Sequence, residues 1–317
     1  MATVVGIGET LIRLTPPGGE TLETTPTLTI HIGGAESNVC ATLAQLGIRT
    51  AWISRLPATP LGRRVARTIQ GYGVDVQNVL WAPGGNVGLM FVQPGADPRP
   101  GEVFYYRAGS AFSGIDPDAV AWSVLEGTRL LHLTGITPAL GQGPRRLVER
   151  ALQEAGRRGV QVSFDVNYRA RLWTTDEART VLEPLLLQAE VIFLSERDAR
   201  AVFQATGEAP DAARALRERF RCGVLVMTRG ADGALAVGPE GTSERPAVPS
   251  AIVDRIGRGD AFAAGFLYGY LRGSVDEGLR YGTALASLKQ TYPGDICQVT
   301  HDDLEAILGG GAGGFRR

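Results

Sequence analysis

Val253-Asp254-Arg255-Ile256-Gly257-Arg258-Gly259-Asp260-Ala261-Phe262-Ala263-Ala264-Gly265 runs a β-type stretch into a tight glycine turn, an acid and a small-residue helix. Gly257 and Gly259 can take backbone angles that other residues resist. A turn of that kind opening a helix points several backbone N–H groups at one spot, and the helix dipole adds partial positive charge there. Asp260 then stands at the helix start, where its carboxylate can accept a proton from a substrate hydroxyl. An anion hole with a base at its lip suits phosphoryl transfer, in which positioning and charge stabilisation do most of the catalysis. Taken alone, Gly-x-Gly-Asp is equally an N-capped helix after a glycine turn.

Upstream of this stretch, apolar β-type runs alternate with helical ones. Val4–Ile7, Ala51–Ile53, Leu130–Leu133, Val160–Phe164, Val191–Leu194 and Val224–Met227 read as buried strands. Glu36–Leu46, Gly62–Gln70, Pro144–Arg158, Asp176–Gln188, Glu196–Thr206 and Asp211–Phe220 read as helices. The alternation predicts an α/β fold with a mostly parallel central sheet and helices on both faces. Ligands in such folds sit beyond the carboxyl ends of the strands. Two segments break the pattern, residues 10–32 and 87–107, and both read as β-rich. Within the second, Pro94–Gly101 is a long turn between two short strands. Together they predict a small β-sheet inserted into the body.

The 317 residues are 44% hydrophobic and 21% charged, an ordinary globular composition. A formal net charge of −1 leaves no basic footprint for nucleic acid. No apolar run approaches the roughly 20 residues that span a membrane. Met1–Glu9 lacks a basic region and a cleavage site, so no signal peptide is expected. Cys40, Cys222 and Cys297 are odd in number and far apart, which points to reduced thiols and a cytoplasmic protein. The histidines are scattered, and no His/Cys metal cage is expected. The body is expected over residues 1–308, with a disordered glycine-rich tail over 309–317.

Three further runs carry chemistry. Ile32-Gly33-Gly34-Ala35-Glu36-Ser37-Asn38 sets glycines before a helix, with an amide one turn in. Ser163-Phe164-Asp165-Val166-Asn167-Tyr168-Arg169 lies at a strand end, where a period of two puts Asp165, Asn167 and Arg169 on one side. An acid, an amide and a guanidinium together suit Mg²⁺–phosphate and carboxylate binding. Met227-Thr228-Arg229-Gly230-Ala231-Asp232-Gly233 is a strand and a glycine turn that lets a ligand approach the backbone. Each of these runs, alone, also reads as a capped helix start, a polar loop or a plain hairpin.

Together and in this order, the motifs resemble the ribokinase-like (PfkB) sugar kinases. The Asp260 flank is similar to their Asp-Thr-x-Gly-Ala-Gly-Asp signature, with Arg255 in place of Thr and Arg258 in place of Ala. The Gly34 run is similar to their Gly-Gly-x-x-x-Asn sugar signature. The subgroup most resembled phosphorylates 2-keto-3-deoxygluconate. The resemblance implies a three-layer sandwich in which the small sheet is the substrate lid and forms a homo-oligomer interface. It implies ATP and Mg²⁺ as cofactors, with a monovalent cation such as K⁺ near Asp254. Asp260 would be the base, with the N–H groups of Gly257, Arg258 and Gly259 stabilising the phosphoryl group. Gly34, Asn38, Tyr105, Arg107, Ile136, Arg169 and Asp295 would bind the sugar acid. Asn167, Ser195, Thr228, Gly230 and Gly233 would bind the nucleotide, and Asp165 and Asp198 would hold the metal through water or phosphate. Met90 stands where the subgroup often has a substrate-contacting Tyr. Arg107 and Arg169 favour an anionic substrate. Fructose or another neutral sugar is the alternative within the family, and a non-catalytic nucleotide- or sugar-binding protein is the alternative outside it.

Overall fold

A computed structural model of the chain describes residues 1–95 and 98–310. The first part of the chain forms β1 (Val4–Ile7), β2 (Leu11–Thr15), β3 (Thr29–Gly33), α1 (Ala35–Gln45), β4 (Thr50–Pro57), α2 (Pro60–Gly71), β5 (Val79–Ala82), β6 (Leu89–Gln93) and β7 (Glu102–Tyr106). There follow β8 (Leu130–Thr134), α3 (Ile136–Ala139), α4 (Gln142–Arg158), β9 (Gln161–Asp165), α5 (Thr175–Leu186), β10 (Val191–Ser195), α6 (Glu196–Phe203) and α7 (Ala209–Phe220). The last part holds β11 (Val224–Thr228), β12 (Ala234–Gly238), β13 (Gly241–Arg245), α8 (Arg258–Arg272), α9 (Val275–Lys289) and α10 (His301–Leu308).

Nine strands make one sheet in the order β13-β12-β11-β10-β9-β8-β1-β4-β5. From β11 to β5 every pairing is parallel, and β12 and β13 add an antiparallel edge. The strands read as continuous apolar runs because both faces are covered. In β10, Ile192 and Leu194 enter one core with Leu147 of α4, Leu182 of α5, Val202 of α6 and Leu216 of α7. Their neighbours Val191 and Phe193 enter the opposite core with Leu43 of α1, Phe262 and Phe266 of α8 and Leu285 of α9. The period of two along one strand thus builds a three-layer sandwich.

Segments 10–32 and 87–107 contribute a second sheet in the order β3-β2-β6-β7. Its inner face carries Leu11, Met90 and Val92, which pack with Val103 and Tyr105 of β7 and, from the body, with Ile256. Within the turn after β6, residues 96 and 97 lie outside the described residues, as does most of the glycine-rich tail, residues 311–317.

Two expectations need correcting. The β-type stretch before Gly257 is not a strand. Ile252 and Val253 are 52% and 59% exposed, and the N–H groups of Val253 and Asp254 both donate to the carbonyl of Gln290, at 2.7 and 3.1 Å. With a helix end as its partner instead of a strand, the segment forms no ladder. The helix expected to reach Thr206 stops at Phe203, because Gln204 takes a left-handed φ of 57° and caps it.

α8 and α9 pack closely enough to need glycines. A Cβ on Gly265 would lie 2.5 Å from the carbonyl oxygen of Tyr281, and one on Gly282 would lie 3.0 Å from that of Phe262. Gly265→Val should therefore push the helices apart and cost about 1–3 kcal/mol of stability, the usual penalty of overpacking. Thermal unfolding measures this, and an unchanged Tm would mean that the close approach imposes no constraint.

Candidate active site

The carboxyl ends of β8, β9, β10 and β11 open on a cleft of about 440 Å³, lined also by the small sheet and by the starts of α1 and α8. Gly257 is the N-cap of α8 with φ 81°. A Cβ there would lie 1.8 Å from the carbonyl oxygen of Asp295, so both the angle and the contact require glycine. Gly259 differs from the expectation: its φ is not left-handed, and an added Cβ would meet no protein atom. Among the described residues, the N–H groups of Gly257, Gly259 and Asp260 meet no protein acceptor. The Arg258 N–H, expected to share the anion hole, instead closes the turn by donating to the Arg255 carbonyl at 3.3 Å. The free donors at this helix start are thus those of Gly257, Gly259 and Asp260.

Asp260 lines the cleft and accepts a hydrogen bond at Oδ2 from Asn38 Nδ2 at 2.7 Å. Asn38 Oδ1 accepts in turn from the Gly34 N–H at 3.2 Å, so the amide is oriented at both ends. Burial pushes the Asp260 carboxyl up to about 6; the Asn38 bond and the Arg169 charge oppose it, Asp295 adds to it, and Lys289 opposes it more weakly. The group therefore titrates just below neutrality, where a general base works best.

Asp165, Asn167 and Arg169 all line the cleft, but strand alternation is not what brings them there. β9 ends at Asp165, and Asn167 turns back with a left-handed φ of 41°. Its N–H donates to Asp165 Oδ1 at 3.0 Å, and its Nδ2 to Oδ2 at 3.2 Å. This Asx turn, not the pleat, brings Asp165 and Asn167 together. Burial first, and the Asp260 charge next, raise the Asp165 carboxyl to about 7. Ser195 Oγ caps α6 by accepting from the Asp198 N–H at 3.0 Å, and Asp198 itself is buried at the cleft wall. Among the described residues Arg169 makes no ion pair; its Nη1 donates to the Tyr168 carbonyl at 3.2 Å.

A second pocket of about 120 Å³ adjoins the cleft and shares Thr228, Gly259 and Phe262 with it. Gly230 and Gly233 line it with φ of 65° and 85°, beside Ala247, Val248 and Gln290. Arg258 lines this pocket and not the main cleft.

The sugar-side residues come together too, with partners that local sequence did not announce. Tyr105, Arg107 and Ile136 line the cleft, and the Ile136 N–H is taken up by Thr134 Oγ1 at 3.3 Å. Arg107 is paired: its Nε donates to Glu9 Oε2 at 2.8 Å and its Nη2 reaches the same oxygen, while Ser110 Oγ donates to Glu9 Oε1. A neutralised Arg107 removes half of the charge argument for an anionic substrate. Asp295 also lines the cleft, and its Oδ2 is 3.2 Å from Arg13 Nη1. Burial raises the Asp295 carboxyl, and Arg13 opposes the rise. Arg13 Nη2 lies 2.7 Å from Asp254 Oδ2 as well. Buried Glu36 accepts from Thr134 Oγ1 at 2.8 Å and Thr137 Oγ1 at 2.7 Å, and its carboxyl is pushed up to about 7, chiefly by burial. Faint signals existed: Arg13 is a lone charge inside an apolar strand, and Lys289 follows buried Leu285 by four residues, on one helix face.

Comparison with known proteins agrees with this geometry. The family model for pfkB family carbohydrate kinases matches residues 1–301. The chain is 41% identical over 317 residues to a 2-dehydro-3-deoxygalactonokinase of Haloferax volcanii, covering 100% of this chain and 99% of that protein. It is 34% identical to a 2-dehydro-3-deoxygluconokinase of Thermoproteus tenax, over 86% of this chain and 83% of that one. The crystal structure of a 2-dehydro-3-deoxygluconokinase from Thermotoga maritima superposes with a TM-score of 0.90 at 32% identity, over 97% of this chain and 98% of that one. A match of this extent, on a cleft arranged around an uncapped helix start and a carboxylate, means that the chain belongs to the pfkB family of carbohydrate kinases and is an ATP-dependent sugar kinase on the ribokinase-like fold.

Proposed function

We propose that the enzyme transfers the γ-phosphoryl group of ATP to the C6 hydroxyl of 2-keto-3-deoxygluconate or of its C4 epimer. The observation that carries this reading is Arg169, a guanidinium in the same cleft as Asp260 that makes no direct ion pair among the described residues, although its charge is felt at Asp165 and Asp260. Such a group pairs with a sugar carboxylate in a bidentate fork. The names of the relatives at 41% and 34% identity support the same substrate class. Gly34, Asn38, Tyr105, Arg107, Ile136 and Asp295 shape the sugar end, with Arg107 acting as a hydrogen-bonding wall held by Glu9 more than as a free charge.

In this reading Asn38 holds Asp260 Oδ2, and Oδ1 receives the proton of the attacking hydroxyl. The Gly257, Gly259 and Asp260 N–H groups meet the phosphoryl oxygens at the start of α8. The nucleotide lies from the Gly230–Gly233 pocket toward the cleft, past Thr228, Asn167 and Ser195. Mg²⁺ neutralises charge on the transferring phosphates. The donor set fits it: Mg²⁺ commonly takes one or two carboxylates, waters and substrate phosphates, and two carboxylates, those of Asp165 and Asp198, belong to residues lining the cleft. Asp165 and Asp198 are the carboxylates available, through water or phosphate.

Asp260→Asn should lower kcat by about 10²–10⁴-fold while ATP binding persists. In the parent enzyme kcat/KM should rise with pH through about 6 and level off above it, because the base must be ionised and burial has raised its pKa to that value. A flat profile from pH 5 to 8, or a near-normal rate in the Asn variant, would remove Asp260 from the mechanism.

The substrate is tested by ADP release over a panel of sugar acids and neutral sugars. The sugar acid should be preferred, and Arg169→Ala should raise its KM selectively, by an amount corresponding to about 1.5–3 kcal/mol. Equal loss on fructose would mean that Arg169 reads no carboxylate.

The small sheet serves as lid and as the contact between two copies of the chain. Its outer face leaves Ile30 40% and Tyr106 67% exposed, with Phe91 packed edge-on against Tyr106 at 5.5 Å. Apolar surface of this kind favours self-association. Tyr106→Glu should shift the sedimentation coefficient to that of a monomer; if the parent already sediments as a monomer, the contact does not form.

A further inference from the structure

Lys289, the last residue of α9, is 0% exposed. A buried ammonium is costly unless it is well partnered. Its Nζ donates to the carbonyl of Asp254 at 3.2 Å and to that of Tyr292 at 3.5 Å, and lies 5.4 Å from the centroid of the Tyr292 ring. No carboxylate takes a direct bond from it among the described residues. It sits at the carboxyl end of a helix, where a cation is favoured. Arg13 bridges Asp254 and Asp295 beside it, so the cluster holds two cations and two carboxylates. Asp254 in turn accepts from the N–H groups of Ile256 and Gly294, both at 3.0 Å, which ties together the two loops that flank Gly257.

The family resemblance implies a monovalent cation near Asp254, and the donors present do not fit one. Backbone carbonyls suit such an ion, yet those of Asp254 and Tyr292 already accept from Lys289, and the Asp254 carboxylate is taken by Arg13. We infer that Lys289 is a built-in monovalent cation: its ammonium occupies the carbonyl cage behind the Gly257 turn, so that the anion hole keeps its shape and charge balance without K⁺. Lys289 lines neither the cleft nor the adjoining pocket and is a positioning residue. Burial lowers its pKa, while the neighbouring Asp254 and Asp295 support its charge. The inference rests on the Gly257 turn as the phosphoryl site, and the experiment separates the two.

The parent enzyme is titrated with K⁺, NH₄⁺, Na⁺ and tetramethylammonium chlorides at constant ionic strength, reading both Tm and turnover of 2-keto-3-deoxygluconate with ATP and Mg²⁺. Both readouts should be indifferent to the cation. Lys289→Ala empties the cage: its Tm should rise saturably with K⁺ or NH₄⁺ but not with tetramethylammonium. Its kcat should fall on the order of 10²-fold, as for a misplaced catalytic group, with KM for the sugar acid little changed, and K⁺ should restore part of the loss. Specific stabilisation or activation of the parent by K⁺ would overturn the inference. So would a folded Lys289→Ala protein whose Tm ignores K⁺ and NH₄⁺. If Lys289→Ala does not fold, the parent titration decides alone. A parent that turns over no sugar acid refutes the substrate proposal, and the Tm titrations still decide the role of Lys289.

Discussion

The contact between Gly257 and the backbone of Asp295 is the constraint on which the site depends. At 1.8 Å from where a side chain would begin, it leaves room for hydrogen alone. That closeness presses the start of α8 against the loop after α9. It fixes where the unsatisfied N–H groups of the helix point, and Asp260 follows one turn in. The helix pair behind it is packed to backbone distance, so the start of α8 cannot drift without disturbing the core between the sheet and α9.

The free site is electrostatically uneven. Asp165 and Asp260 line one cleft, and burial holds both carboxyls above their ordinary range, with repulsion from Asp260 adding at Asp165 and from Asp295 at Asp260. A divalent cation with its phosphates would relieve that repulsion, so an acidic cleft that looks unfavourable alone is matched to a charged complex. On the other side of Gly257 the balance is already closed. Burial works to raise the Asp254 carboxyl, but Arg13 and two backbone N–H groups outweigh it and hold it low. One half of the turn awaits its ligand and the other half is internally compensated.

Much of this was legible in the chain. The parallel strands are legible because a strand covered on both faces must be apolar throughout, and the turns at Gly230, Gly233 and Gly257 because their backbone angles disfavour other residues, whereas Gly259 has no such need. Part of what failed to show depends on residues far apart in sequence. Glu9 meets Arg107 across 98 positions, and Arg13 meets Asp295 across 282. Asp165 and Asn167 were grouped correctly, but by the pleat, when the strand had already ended and a side chain-to-backbone turn was at work. Val253 looked like strand because its residue type favours one; only the neighbour, a helix end, decided otherwise.

The small sheet is knitted from two distant hairpins. β2 pairs with β6 in parallel register, Ile12 beside Leu89, although α1, β4, α2 and β5 lie between them in the chain. Pairing the two hairpins closes a loop that contains those body elements, an entropic cost that precedes any reward from the pairing. The β2–β6 pairing is thus the junction that holds the two hairpins in a single sheet. Either hairpin alone would present β2 or β6 as an unpaired edge, the kind of edge that recruits strands from other chains.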